Sequence, residues 1–324
     1  MCTAISYKAG DHYFGRNLDV EFSFNEQAVI TPRGRLFRLS GGGDFYNRYA
    51  LIGIAAVVDD YPLYYEAANE AGLAAAGLNF PGNAVYLPPQ EGKRNISPSE
   101  FLPWLLGQAE SVREARELLK DMVLTNIPFK KDMPLSPLHF MISDRDESIV
   151  AEPTAEGLKI YDNPYKVMTN NPPFDFHLWN LHNYLNCSVK NRESAFSPDY
   201  QLNNSGVGMG AFGLPGDASS PSRFVKAAFT LTNSPKEGSE EDCVSQFFHV
   251  LDSVALLKGS TLTDSGKDDI TLYSCCINTD RGIFYYKTYG HSRISAVRLT
   301  EENMNADSLK IFPLLKTQDI LFQN

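Results

Sequence analysis

Met1-Cys2-Thr3-Ala4-Ile5-Ser6-Tyr7-Lys8-Ala9-Gly10-Asp11-His12-Tyr13-Phe14-Gly15-Arg16-Asn17-Leu18-Asp19 opens the chain. Polar and apolar residues alternate over 2–8 and again over 12–20, the period of a strand, and Gly10 lies where the direction must reverse. The stretch predicts a β-hairpin. A second hairpin is predicted where 63–68 and 73–80 flank Asn69-Glu70-Ala71-Gly72, with Gly72 suited to a left-handed turn position. Further strands are expected at 51–58, 138–143, 148–152, 165–169, 270–277, 282–289, 293–299 and 308–315.

Two helices carry explicit start signals. Ser97-Pro98-Ser99-Glu100 is a capping box with Pro at the first helical position, and it opens a helix from Phe101 that ends near Gly107. Ser111-Val112-Arg113-Glu114 is another, followed by Val112, Ala115, Leu118, Leu119 and Met122 on one face. Two more helices are expected, one from Ser220-Pro221 to Leu231 and one over about 241–257. Residues 125–137, with three prolines, read as a loop bearing exposed apolar side chains, and 186–220 as a long irregular section. Hairpins dominate over strand–helix–strand alternation, so the fold class expected is α+β, antiparallel sheets covered by helices. No repeat or low-complexity linker divides the 324 residues, and a single domain over 1–324 is expected.

Hydrophobic residues at 43% and charged residues at 21% give a globular balance with a large core. The net charge of -10 argues against nucleic acid or an anionic membrane as partner, since both need a basic face. The longest apolar run, Leu51 to Val58, is far short of a membrane span, and residues 1–20 lack the pattern of a secretory signal. A cytoplasmic location is the expectation. The five cysteines, at 2, 187, 243, 275 and 276, form no CxxC spacing, and the six histidines form no metal motif. No metal and no cofactor are expected. Cys187, Cys243, Cys275 and Cys276 read as small buried hydrophobes.

Cys2 is different. A small residue after Met1 permits removal of the initiator, and Cys2 then carries both a thiol and a free α-amine. Such an amine has an ordinary pKa of about 7.7–8.0, so it can serve as a general base near neutral pH. An N-terminal amine activating its own side chain is a known form of the nucleophile–base pair. Arg16 and Asp19 fall opposite the start of the first strand in the hairpin, where Arg16 could favour the thiolate and Asp19 could orient the amine. By spacing alone the plainer reading of these two is a surface charge pair.

Met1-Cys2-Thr3-Ala4 followed by Tyr13-Phe14-Gly15-Arg16-Asn17-Leu18-Asp19 resembles the choloylglycine hydrolase family of N-terminal nucleophile hydrolases, which comprises bile salt hydrolases and penicillin V acylases. Asn69-Glu70-Ala71-Gly72-Leu73, Gly77-Leu78-Asn79-Phe80-Pro81-Gly82-Asn83-Ala84, Thr169-Asn170-Asn171-Pro172, Gly213-Leu214-Pro215-Gly216-Asp217 and Ser222-Arg223-Phe224-Val225-Lys226-Ala227 extend the resemblance over essentially the whole chain. It implies a four-layer αββα sandwich and an amidase with Met1 removed on maturation. Cys2 would be the nucleophile and its amine the base, Arg16 the residue beside the thiol, and Asp19 the partner of the amine. The Asn171 amide and the Asn79 backbone N–H would hold the oxyanion, and Arg223 would be the remaining charged residue of the site.

Asn79, in Gly-Leu-Asn-Phe, resembles the bile salt hydrolases, whereas penicillin acylases of the family commonly carry Tyr there. The substrates implied are therefore glycine- or taurine-conjugated bile salts, and the assembly implied is a homotetramer. Leu18, Phe24, Tyr65, Phe129 and Leu135 are candidate walls of an apolar pocket, as a steroid requires; they read equally as core, except that the Pro-rich 125–137 loop speaks against deep burial of Phe129 and Leu135. The alternatives are penicillin V or another N-acyl substrate, and a noncatalytic amphiphile-binding protein that retains Met1.

Overall fold

The computed structural model describes residues 1–324. The strands run β1 (Cys2–Ala9), β2 (Asp11–Val20), β3 (Gln27–Thr31), β4 (Leu36–Phe37), β5 (Phe45–Tyr46), β6 (Leu51–Val58), β7 (Tyr61–Asn69), β8 (Ala74–Asn79), β9 (Arg94–Ile96), β10 (Met122–Leu124), β11 (Leu138–Ser143), β12 (Ser148–Thr154), β13 (Gly157–Asp162), β14 (Val167–Met168), β15 (Ile270–Asn278), β16 (Ile283–Thr288), β17 (His291–Arg298) and β18 (Lys310–Pro313). The main helices are α1 (Phe101–Gln108), α2 (Val112–Lys120), α3 (Phe174–Asn180), α4 (Ser220–Thr232) and α5 (Glu240–Asp252).

Two antiparallel sheets face each other. One has six strands in the order β14-β1-β2-β15-β16-β17, the other eight in the order β13-β12-β11-β8-β7-β6-β3-β18. The larger core includes both faces of the six-stranded sheet, the inner face of the eight-stranded sheet, and the buried faces of α4 and α5. A second core lies between the outer face of the eight-stranded sheet and α1 and α2. The layers are therefore helix, sheet, sheet, helix. The eight-stranded sheet is apolar on both faces because each is covered, so Leu51-Ile52-Gly53-Ile54-Ala55 is buried without a break.

Local signals account for the element ends. Gly10 and Gly72 have φ of 69° and 101° at the hairpin turns, values that disfavour a residue with a Cβ. Ser97 and Glu100 form the capping box, but it opens a 3₁₀ turn over Pro98–Glu100 before α1 begins. The Ser111 side chain accepts from Glu114 N at the start of α2, which buries Val112, Ala115 and Leu119. The helix expected over 241–257 ends at Asp252, where Val254 N turns back to Leu251 O. The strand expected over 165–169 shrinks to two residues, because Lys166 adopts φ 57°. In 125–137 the side chains of Ile127, Phe129, Met133 and Leu135 are half-buried rather than exposed. β3, β13 and α3 carried no sequence expectation. β3 is a five-residue apolar segment within the larger sheet, too short for its periodicity to register.

Gly15 sits where β2 passes β15, and a Cβ built there would lie 2.0 Å from the Cys275 carbonyl oxygen. Gly15→Ala must therefore push two central strands apart. We expect a loss of about 2–3 kcal/mol or more in urea unfolding, because overpacking against backbone cannot relax through a rotamer change.

Candidate active site

The site is built on the pairing of β1 with β2. Cys2 stands across from Leu18, Thr3 from Asn17 and Ala4 from Arg16. Directly opposed residues share a face of the sheet and neighbours along a strand alternate. Cys2, Leu18 and Arg16 thus face the eight-stranded sheet, whereas Thr3, Asn17 and Asp19 face the helices. The contacts agree. Arg16 Nη1 donates to Gly77 O at 2.6 Å in the opposite sheet, while Asn17 Nδ2 donates to Leu251 O at 2.9 Å on α5.

Arg16 is buried. Its Nε donates to Asn17 O at 3.3 Å and lies 3.8 Å from Glu66 Oε2. Its guanidinium pKa is raised: burial lowers it, and the Cys2 thiol, Tyr273 and Glu66 together raise it more. Asp19 is also buried, on the other face. Its Oδ1 accepts from Thr271 Oγ1 at 2.7 Å, and its Oδ2 lies 3.9 Å from Arg223 Nη1 without a hydrogen bond. Burial pushes the Asp19 carboxyl up, opposed by Arg223 and the N-terminal ammonium. Arg16 and Asp19 are therefore separated by the sheet itself, one on the thiol side and one on the helical side.

Arg223 enters from the first turn of α4. Its Nη1 donates to Cys2 O and to Thr3 Oγ1, its Nη2 to Asn170 Oδ1 at 2.8 Å, and its Nε to Ala218 O at 3.0 Å. The α4 N-terminus is an electrostatically poor place for a cation, so these acceptors explain its position.

Asn79 ends β8. Phe80 N donates to Pro137 O and Leu138 N to Tyr86 Oη, which makes Asn79–Leu138 the non-hydrogen-bonded kind of antiparallel pair. The Asn79 N–H and C=O then point away from β11 toward β7. The β7–β8 pairing has already ended at Glu66–Ala76, so the backbone of Asn79 projects into the gap where the strands part. Gly77 O lies on the same edge and receives Arg16.

Asn171 and Asn170 are turned in different directions. The Asn171 side-chain amide donates to Pro81 O at 2.7 Å, and the residue is half-buried. Asn170 is the residue turned toward Cys2. Its Oδ1 accepts from Cys2 N at 2.7 Å and from Arg223 Nη2, and its Nδ2 donates to Asn79 O at 2.7 Å. Thr169-Asn170-Asn171-Pro172 offers two adjacent asparagines, and only the backbone trace after β14 decides which one faces inward. Glu66, Tyr273 and Thr271, also joined to the site, gave no signal in the sequence because each lies in an apolar-looking strand.

Among the expected pocket residues, Leu18 is buried across from Cys2. Tyr65 is half-buried on β7, at a register shift that leaves it without a partner on β6. Phe24 is exposed, its ring 6.1 Å from that of Tyr65 and 4.7 Å from that of Phe22. Phe129 packs instead on Tyr61 at 4.8 Å, and Tyr61 packs on the second core through Phe37. Leu135 is half-buried.

Residues 2–312 match the family of linear amide C–N hydrolases, choloylglycine hydrolase family. The chain belongs to this family. It is a hydrolase of C–N bonds in linear amides. A bile salt hydrolase/transferase of Lactiplantibacillus plantarum is 49% identical over 314 residues, covering 97% of each chain. A bile salt hydrolase/transferase of Clostridium perfringens is 38% identical over 325 residues, 99% of each. The crystal structure of a variant conjugated bile acid hydrolase from Clostridium perfringens superposes with a TM-score of 0.92 at 37% identity, covering all of both chains. A penicillin V acylase from Agrobacterium tumefaciens shares the fold, with a TM-score of 0.77 at 20% identity over 96% of this chain and 91% of its own. No helix is long and apolar enough to cross a membrane.

The hydrogen bonds separate the two asparagines energetically. Asn170→Ala removes three side-chain bonds and strands buried partners, so we expect a loss of roughly 3 kcal/mol in urea unfolding. Asn171→Ala removes one half-exposed bond, and about 1 kcal/mol or less is expected.

Proposed function

We propose that the chain cleaves the amide bond of glycine- or taurine-conjugated bile acids, with Cys2 as nucleophile after loss of Met1. The observation that carries this reading is the set of polar groups gathered on the backbone of Cys2. Asn170 accepts from its N–H, Arg223 donates to its carbonyl, and Asp19 lies one strand away with an oxygen free. A cysteine serving only as a small hydrophobe needs none of these. The 49% identical relative, named for bile salts and matched over 97% of both chains, supports the choice of substrate.

In this mechanism the α-amine of Cys2 takes the thiol proton, and the thiolate attacks the amide carbonyl. The Asn79 N–H, pointing into the gap beyond β7, is one oxyanion donor. The amide of Asn170 replaces that of Asn171 as the second. Such donors contribute most when they are fixed before charge develops, and both here are fixed by backbone. The ammonium then protonates the departing glycine or taurine nitrogen, and water hydrolyses the thioester. Before processing, the Met1 ammonium sits on Asp269 Oδ2 at 3.1 Å and on Asp19 O at 2.6 Å. After it, Asn170 Oδ1 is already in place to accept from the new amine. Arg16 shares the thiol's face of the sheet. Leu18, Phe24 and Tyr65 supply apolar surface for the steroid, with Leu135 a further candidate wall, while Phe129, packed on Tyr61, would reach it only at the rim.

The proposed setting is a cytoplasmic homotetramer. Trp179, Leu185, Phe196, Val207 and Phe212 are exposed in 179–212, large apolar side chains that self-association would cover.

Cys2→Ala is expected to lower amino-acid release from taurocholate and glycocholate by about 10⁴-fold or more while the protein stays folded. Turnover retained in that variant, or an intact mass of the active parent that still includes Met1, would overturn the mechanism. Penicillin V assayed alongside separates the substrate classes. A light-scattering mass of four chains is expected, and Trp179→Asp with Phe212→Asp should reduce it.

A further inference from the structure

Glu66 lies fully buried at the centre of the sandwich. Its neighbours on the inner face of the larger sheet are Ala68, Ala74, Ala76 and Leu78, all apolar. An apolar residue would pack there more cheaply, because taking a carboxylate out of water costs several kcal/mol that a single ion pair rarely returns. The position is nonetheless furnished for a carboxylate. Tyr273 Oη donates toward both oxygens, at 2.8 Å to Oε2 and 3.1 Å to Oε1, from β15 on the facing sheet. Arg16 Nε approaches Oε2 to 3.8 Å from β2. The other groups in its field are Cys275 on β15, the backbone of Ile54 on β6, and Tyr65 beside it on β7. Arg16 is the one cation among them.

Arg16 is thus shared. It lies on the same face of the β1–β2 pair as Cys2, and both the thiol and Glu66 act on its charge. Its fully buried Nη2 has no hydrogen-bond partner, so Gly77 O, Asn17 O and Glu66 do not exhaust its donors.

We propose that Glu66 is a positioning residue for the amidase: held by Tyr273, it is the counter-charge of Arg16 and sets how much positive charge Arg16 presents to the Cys2 thiol. It touches neither substrate nor reacting atoms and acts through Arg16 alone. The proposal rests on Cys2 as nucleophile. Burial pushes the Glu66 carboxyl up to about 7, against the opposing pull of Arg16 and the Tyr273 hydroxyl. The counter-charge is therefore present above that pH and withdrawn below it, and Arg16 acts on the thiol with least opposition on the acidic side.

Glu66→Gln keeps the shape and an acceptor for Tyr273 while deleting the charge. Alkylation of Cys2 by iodoacetamide, followed from pH 4 to 9 by the mass of the N-terminal peptide so that the half-buried Cys187 is not counted, reads thiolate content without any bile salt. Below about pH 7, where the parent's Glu66 is itself neutral, the two alkylation rates should coincide; above it, where the parent regains the counter-charge, Glu66→Gln should alkylate up to about tenfold faster. The kcat/KM for taurocholate should diverge over the same range. Glu66→Asp, which keeps the charge but withdraws it from Arg16, should fall between parent and Glu66→Gln, and it serves as the readout if Glu66→Gln does not fold. A folded variant whose rate matches the parent's above pH 7 as well as below it, or falls beneath the parent's there, overturns the proposal. Failure of the underlying reading looks different: turnover of taurocholate would survive in Cys2→Ala, whatever Glu66 does to alkylation.

Discussion

A chain terminus ordinarily frays, because half of its neighbours are missing. Here the terminal strand is held on both sides, by β2 over its full length and by β14 near its start. Everything else in the site depends on that constraint. With β1 fixed, Cys2 is fixed to a face and a register, and groups from distant parts of the sequence can be aimed at it. Asn170 arrives from the loop after β14 and Arg223 from α4.

The pleat of β2 then sorts the charges. Arg16 and Asp19 are three residues apart, so alternation puts them on opposite faces. Arg16 goes between the sheets with the thiol, and Asp19 goes under the helices with Arg223. Each buried charge meets an opposite one: Arg16 with Glu66 at 3.8 Å, Arg223 with Asp19 at 3.9 Å. These separations are long for ion pairs, and the shorter contacts of both arginines are to carbonyl and side-chain oxygens. The sheet thus separates the side that holds the Cys2 thiol and Arg16 from the side that holds Asp19 and Arg223.

The parting of β7 and β8 beyond Ala76 has a comparable role. A continued ladder would have spent the backbone groups of Gly77 and Asn79 on sheet hydrogen bonds. Because the strands separate, Gly77 O is available to Arg16 and Asn79 O to Asn170. The cross-sheet contacts at this edge are what join the two layers around Cys2.

Much of this was legible beforehand. Period-two alternation around Gly10 and Gly72 placed both hairpins, and capping boxes placed the starts of α1 and α2, because these signals are local and each is satisfied within a few residues. The motif around Cys2, with Asn79 and Arg223, was enough to suggest the family, and residues 2–312 match it. What the sequence left open depends on direction and depth. The resemblance pointed to Asn171, whereas Asn170 is the one hydrogen-bonded to Cys2, since two adjacent side chains differ only in which way the folded backbone turns them. Nothing in the sequence pointed to Glu66, because a lone carboxylate in Tyr-Tyr-Glu-Ala-Ala reads as the solvent side of a strand until a second sheet is known to cover it. Local pattern determined the elements, and the resemblance singled out the Cys2 end. Only tertiary packing decided which polar groups are buried together, because burial is a property of two sheets meeting and not of either strand alone.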